Sequence, residues 1–266
     1  MRLAFTTLAC PGWSVEDVAA NARAYGYDGI ELRLLDGELI DPDLPEPARN
    51  RVRRVFDDAG LPIVAIDTSV RVAGDAEAAE RQLRGWLDVA GAWAAPVLRV
   101  FGGAIEGQGR DEAVSRAASV LERVAPEAER AGVGIALETH DAFASAATVG
   151  EVLRQVPSPA IGALWDTHHP YRSGESPEQV WDLLGGRVLH THVKDARRRA
   201  DDTWELTLLG DGEVPVAEVM QLLGRRGYGG WISVEWEKKW HPEIPEPEQA
   251  LPQHLSLLRE WVGSGK

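Results

Sequence analysis

Short apolar runs and longer amphipathic stretches alternate along this chain eight times over. Leu3–Leu8, Gly29–Leu34, Ile63–Asp67 and Val97–Phe101 read as strands, rich in branched apolar residues and bounded by turn formers. Gly134–Glu138, Ile161–Asp166, Val188–Lys194 and Trp231–Trp236 read the same way. Between them apolar residues recur at three- and four-residue intervals, the period of a helix with one buried face. Ser14, followed three residues later by Asp17, resembles a capping box opening a helix to about Tyr25. Helices are also predicted over Pro45–Ala59, about Asp75–Gly91 and about Asp111–Ala131, with Gly60 and Gly132 as stops. In the second of these Trp86, Val89 and Ala90 share the apolar side. Four more fall near Thr148–Gln155, from Pro177, over Val216–Gly224 and from about Pro247 to Val262. HHPYRSGESP reads as a loop, and Asp195–Glu213 as a segment long enough to form a lid.

Strand-then-helix repetition favours a parallel sheet with both faces covered. An open doubly wound sheet would carry a phosphate-binding glycine turn after its first strand. Here that turn reads ACPGWS, without GxGxxG or a P-loop. Eight units with polar residues at nearly every strand end instead fit a closed (β/α)8 TIM barrel, which takes about 250 residues. No Gly/Ser linker interrupts the chain, so residues 1–266 are expected to form a single TIM-barrel domain.

Composition narrows the function classes. Hydrophobic residues make up 44 % of the chain, enough for a large core, yet no run approaches the roughly 18 residues of a membrane span. MRLAFTTLACPGW has no extended apolar segment behind Arg2, which argues against a secretory signal. Cys10 is the only cysteine, so no intramolecular disulfide or cysteine zinc cluster can form, and a cytoplasmic protein is expected. A net charge of −14 disfavours nucleic acid, whose affinity comes from neutralised phosphates. Arg197, Arg198 and Arg199 are the only arginine triplet, a solvated run before it is an anion site. Among ten tryptophans, Trp13, Trp165, Trp236 and Trp240 lie near predicted strand ends, where they could wall a pocket.

The chemistry concentrates where four successive predicted strands end: Glu138 in GIALETH, Asp166 in IGALWDTHH, His192 in VLHTHVKD and Glu235 in GWISVEWE. Intervals of 28, 26 and 43 residues suit consecutive βα units. In a closed barrel the strand C-termini meet at one mouth. Three carboxylates and an imidazole gathered there need a positive charge among them, and one divalent metal ion is the simplest answer. Hard oxygens with one imidazole nitrogen suit Mn²⁺ first, then Mg²⁺ or Co²⁺, and would also hold Zn²⁺. Any one such acid could merely cap a helix or pair with a lysine; four in succession weaken that account.

Several alternatives stay open at this level. His190 and His192 point the same way, with His192 preferred as ligand and His190 a deeper donor or core histidine. Glu237, two residues beyond Glu235, is its rival on the same strand face. Asp166 and His169 form a DxxH pair, so His169 can reach a substrate hydroxyl while His168 faces away. His140 either orients Glu138 or touches substrate. Glu31 either hydrogen-bonds near the site or pairs with Arg33 at the rim. Lys194 and Asp195 read as a rim pair fixing the exit of the seventh strand.

LETH, WDTHH, HTHVKD and SVEWE, with AYGYDGIELR near the start, resemble the sugar isomerase/epimerase superfamily, built on a xylose isomerase-like barrel. The resemblance covers essentially the whole chain, and LGDGEVP matches the family's LGxGxx segment. It implies that Glu138, Asp166, His192 and Glu235 hold the metal, with Glu31, His169 and Arg197 at supporting and substrate positions. It also implies proton abstraction beside a carbonyl through a metal-stabilised enediolate, with Glu138 and Glu235 as catalytic groups on opposite faces of a sugar or cyclitol. Epimerisation, aldose–ketose isomerisation and loss of a β-hydroxyl, as in inosose dehydratases, all use that ligand set. Related barrels often pair, which admits a homodimer.

One position departs from the pattern. Ketose 3-epimerases of the family carry a further Glu six residues after the first metal Glu, where this chain has Ala144. The endonuclease IV-like nucleases share the barrel but need additional histidines near strands three and four. Those ends offer Asp67 and Arg99, with no histidine before His140, which argues against a nuclease. A barrel that only binds sugar is the remaining non-enzymatic reading.

Overall fold

The eight apolar runs pair side by side in chain order and close on themselves. They are β1 (Arg2–Thr6), β2 (Gly29–Leu32), β3 (Ile63–Arg71), β4 (Val97–Phe101), β5 (Gly134–Glu138), β6 (Ile161–Asp166), β7 (Val188–Val193) and β8 (Trp231–Val234). All neighbours are parallel, and β1 bonds to both β2 and β8, which leaves the barrel without an edge. The computed structural model describes residues 1–105, 107 and 109–263.

Helices wrap the outside: α1 (Val15–Tyr25), α2 (Glu46–Ala59), α3 (Ala76–Trp93), α4 (Arg110–Ala131), α5 (Ala146–Gln155), α6 (Pro177–Leu184), α7 (Val216–Arg225) and α8 (Pro247–Gly263). The capping box forms: Ser14 Oγ accepts from Asp17 N at 3.1 Å, and the Asp17 carboxylate accepts from Ser14 N at 3.0 Å. Gly60 ends α2 at φ 65°, a conformation that costs a side-chain-bearing residue about 1–2 kcal/mol. The main core lies between helices and sheet, where Phe5, Ile30, Ile66, Leu98, Ile135 and Trp165 are buried.

Boundaries shift where side chains capture backbone groups. β1 stops at Thr6 because Thr7 turns aside into a 3₁₀ turn, Thr7–Ala9. Its hydroxyl donates to Leu34 O at 2.9 Å and accepts from Arg33 N and Leu34 N, clasping the exit of β2. The predicted loop after β6 contains a helical turn, His168–Arg172. The predicted lid forms an antiparallel hairpin, Asp195–Arg198 with Trp204–Thr207. Asp195 is no partner of Lys194. Its carboxylate accepts from the backbone N–H groups of Ala196, Gly210, Gly212 and Val214, closing the hairpin base. A Cβ on Gly212 would lie 2.1 Å from Asp195 Oδ1, so that position requires glycine. Three tryptophans leave the mouth as well: Trp165 packs outward among the helices, Trp236 is buried and donates to Pro245 O, and Trp13 donates to Glu248. Trp240 is exposed.

Candidate metal centre

Ala65, Val97, Ala136 and Leu164 form a separate buried apolar cluster. Each precedes by two residues a charged one, Asp67, Arg99, Glu138 and Asp166 respectively. The two-residue period of a strand puts each pair on the same face. The apolar four thus floor the barrel interior, and the charged four stand one layer nearer the mouth.

Glu138, Asp166, His192 and Glu235 converge there, each offering a ligand atom within 4.8 Å of the others, and all are buried. Asp166 and His192 are register partners on β6 and β7. Asp166 Oδ1 accepts from His168 N at 2.7 Å and His169 N at 3.2 Å, so the next turn fixes that carboxylate. Nδ1 of His192 lies 3.2 Å from Glu138 Oε1 and 3.4 Å from Glu235 Oε1. Its Nε2 lies 2.9 Å from Glu31 Oε1, and the second Glu31 oxygen lies 3.1 Å from His190 Nε2. With Nε2–H donating to Glu31, the Nδ1 lone pair of His192 is free for a cation.

Two observations test the fit of an ion. Glu138 Oε2 and Asp166 Oδ2 are buried without a hydrogen-bond donor among the described residues. Arg99 Nε stands 3.4 Å from the first and Lys194 Nζ 3.0 Å from the second, both off a hydrogen-bonding direction. A buried acceptor left so costs about 1–3 kcal/mol, more when charged. Three carboxylates and one imidazole are also the donor set of a hard or borderline dication. The four residues could hold a metal ion.

Sequence reading missed the cations woven among these acids. Lys194 points inward, reaching Asp166, Glu235 and, at 2.7 Å, Glu237 Oε1. The signal was its place two residues after His192, on the inward face. Arg99 bridges Asp67 Oδ1 at 3.2 Å and Glu138, with its Cζ 3.9 Å from the Phe101 ring centre. Arg33 donates to Asp67 O and Ser69 Oγ, each at 2.9 Å, and not to Glu31.

Charge distribution follows from this weave. Burial opposes ionisation of Glu235, but Lys194 and His192 hold it well below the usual carboxylate range. Glu138 is lowered too, with Arg99 overcoming burial. Burial raises Asp166, Lys194 pulls it back, and Glu235 and Glu138 raise it again, leaving it at about 6. Burial and then Glu31 lift Asp67 to about 7. Against burial, Glu31 and Glu235 raise His192 well above an ordinary imidazole.

Other expected site residues divide. His140 and His169 stack edge to face at 4.3 Å, and His169 Nε2 lies 3.9 Å from Asp166 Oδ2. Both ring nitrogens of His169 are buried without a partner among the described residues. His168 packs under the hairpin, 5.0 Å from the Trp204 ring. Glu31 lies beneath His192, with each carboxylate oxygen against a histidine. Glu237 reaches the cluster only through Lys194. Arg197 is exposed and donates to Asp211 O, so the structure does not bring it to the acids.

Comparison with known proteins agrees with the fold. A family model described as a xylose isomerase-like TIM barrel matches residues 19–261. The chain belongs to that family. Among curated relatives, a Lacticaseibacillus casei inosose dehydratase is 27 % identical over 163 residues, 55 % of this chain and 52 % of that protein. A fructoselysine 3-epimerase of Escherichia coli O157:H7 is 30 % identical over 154 residues, 54 % of each. The chain therefore spans about half the length of these curated relatives. Two solved structures share the fold over nearly the whole chain. D-allulose 3-epimerase from Methylomonas sp. has TM-score 0.80 and 18 % identity, covering 98 % of each chain. The probable 3-DHS dehydratase from Bacillus anthracis has TM-score 0.76 and 19 % identity, covering 97 % of this chain and 99 % of its own.

Proposed function

We propose that this barrel is a divalent-metal-dependent isomerase or epimerase of sugars or cyclitols, acting by proton transfer beside a carbonyl. The observation that carries the reading is the convergence of Glu138, Asp166, His192 and Glu235, with Glu138 Oε2 left without a donor. Mn²⁺ is the first choice of ion, before Mg²⁺, Co²⁺ or Zn²⁺. Bound there, such an ion supplies the Lewis acidity that polarises a carbonyl. Asp166 and His192 are its fixed supports: the following turn locks one, and Glu31 sets the tautomer of the other. Glu138 and Glu235 approach from β5 and β8, on either side of those two, and carry the proton off and back. Held well below the usual range, Glu235 is a weak base, so the substrate proton must be acidified for transfer to occur. His140 and His169 offer ring nitrogens to substrate hydroxyls.

A second reading on the same site is dehydration, in which a β-hydroxyl leaves after proton abstraction. Ala144 and Lys194 favour it: one removes a substrate-gripping carboxylate, and the other sets an ammonium against the reacting acids. Incubating Mn²⁺-loaded protein with ketoses and inososes in D₂O separates the outcomes by NMR. Deuterium at a carbon beside the carbonyl supports both readings. Recovered isomer then marks isomerisation, and a 1,2-diketone or its enol, formed with loss of water, marks dehydration. Neither exchange nor turnover with any member of the panel, in protein that has taken up metal, would remove both.

A further inference from the structure

Two guanidiniums meet on the side of the mouth formed by β2, β3 and β4. Both converge on Asp67: Arg33 Nη1 donates to its carbonyl at 2.9 Å, and Arg99 Nε sits 3.2 Å from its Oδ1. Arg99 stands between the carboxylates of Asp67 and Glu138, whereas Arg33 meets the Asp67 carbonyl and Ser69 Oγ and no carboxylate among the described residues. Arg99 Nη1 is buried and has no partner among the described residues. Arg33 engages through Nη1; among the described residues its Nε and Nη2 make no hydrogen bond or ion pair. Neither side chain is exposed, at 1 % for Arg99 and 7 % for Arg33, and Phe101 lies across the Arg99 guanidinium. A buried cation with an idle donor, as at Arg99 Nη1, is costly. An anion received there meets little competition from water, and its charge-assisted bonds are about twice as strong as those of a neutral hydroxyl.

We propose that Arg33 and Arg99 form the anchor for a carboxylate of the substrate, which makes that substrate a small hydroxylated keto acid rather than a neutral sugar. The inference rests on the proposed function for the reaction and not for the binding. Arg99 Nε is 3.4 Å from Glu138 Oε2, so the anchored group lies close to the carbon Glu138 would deprotonate. A carboxylate can be attached that near to the reacting carbon. The phosphate of a sugar phosphate sits several bonds away, at a depth these enclosed arginines do not serve. A planar pair of oxygens also matches the edge of a guanidinium.

The test is ligand binding, read by calorimetry on the full chain, both Mn²⁺-loaded and EDTA-treated. Gluconate, sorbitol and inorganic phosphate are the probes; sorbitol replaces the carboxylate of gluconate by a hydroxymethyl. Gluconate is expected to bind at least about tenfold more tightly than sorbitol or phosphate. Arg33→Gln should abolish that margin while leaving sorbitol affinity and Mn²⁺ stoichiometry unchanged. Arg99→Lys, which keeps the charge in the buried pocket, should retain part of it. Equal binding of gluconate and sorbitol overturns the anchor, and so does tight phosphate binding. A gluconate margin that survives Arg33→Gln and Arg99→Lys undiminished would place the carboxylate elsewhere and also overturn it. Failure to take up Mn²⁺ is read separately: it removes the proposed reaction, while the gluconate comparison in EDTA-treated protein still decides the anchor.

Discussion

The two ends of this barrel use the same strands for opposite purposes. At the N-terminal end of β4 to β7, a cavity of about 520 Å³ is lined by Pro96, Val97, Val133, Pro159, Ala160 and Leu189. It is roomy and apolar, with Glu129 its only charged lining residue. At the C-terminal end the same strands raise Arg99, Glu138, Asp166, His192 and Lys194 into a crowded, buried cluster. Titratable groups are forced together at the mouth, where Arg99, Glu138 and Asp166 each stand on an apolar residue and His192 stands on His190.

If that division holds, changes at the mouth should alter chemistry and ion binding, and changes at the floor only stability. The largest effect is expected from Glu138→Gln and Glu235→Gln. Each should lower substrate deuterium exchange by about 10³-fold, within the usual range for a proton-transfer group; normal exchange in both would break the assignment. Lys194→Met should destabilise metal-free protein by roughly 3–5 kcal/mol in urea, because it strands buried carboxylates. The loss should shrink in saturating Mn²⁺. Leu164→Ala, in the floor, should cost about 2–5 kcal/mol yet leave Mn²⁺ affinity unchanged; a parallel fall in affinity would erase the distinction between layers. Glu31→Gln should weaken Mn²⁺ binding by about 10–100-fold in calorimetry, as expected for the partner orienting a ligand histidine.

A further test uses pH. Ion binding needs Asp166 ionised and a bare Nδ1 on His192. Asp166 stands at about 6 and His192 is raised, so both gain protons as pH falls and both oppose the ion. Mn²⁺ affinity should therefore rise from pH 5 to 7, by about tenfold per unit for each proton released. Flat affinity across that window would mean that neither group binds the ion.

Much of this was legible in the chain because a strand exposes its logic every second residue. The runs ending at Phe101, Glu138 and Asp166 match β4, β5 and β6 end for end. The four strand-end groups converge because parallel pairing brings every C-terminal end to one rim. What stayed hidden depended on side chains acting at a distance. Thr7 ends β1 through contacts with residues 33 and 34, which no local pattern encodes. Lys194 beside Asp195 suggested an ion pair between neighbours in sequence. Successive strand residues face opposite ways, so one entered the acid cluster and the other gathered the amides of the hairpin base. Arg33 seemed paired with Glu31 by the same face rule, but two histidines had already claimed that carboxylate.

Lys194 also changes what it means for such a centre to be filled. Its ammonium donates to one oxygen of Glu235 and stands 3.0 Å from one of Asp166, oxygens that an arriving dication would need. Loading would then be a swap of one positive charge for two, not the quenching of a bare nest of anions. A chain with that internal counterweight can finish folding in ion-poor surroundings and be charged afterwards, and a chelator should empty it without unravelling it.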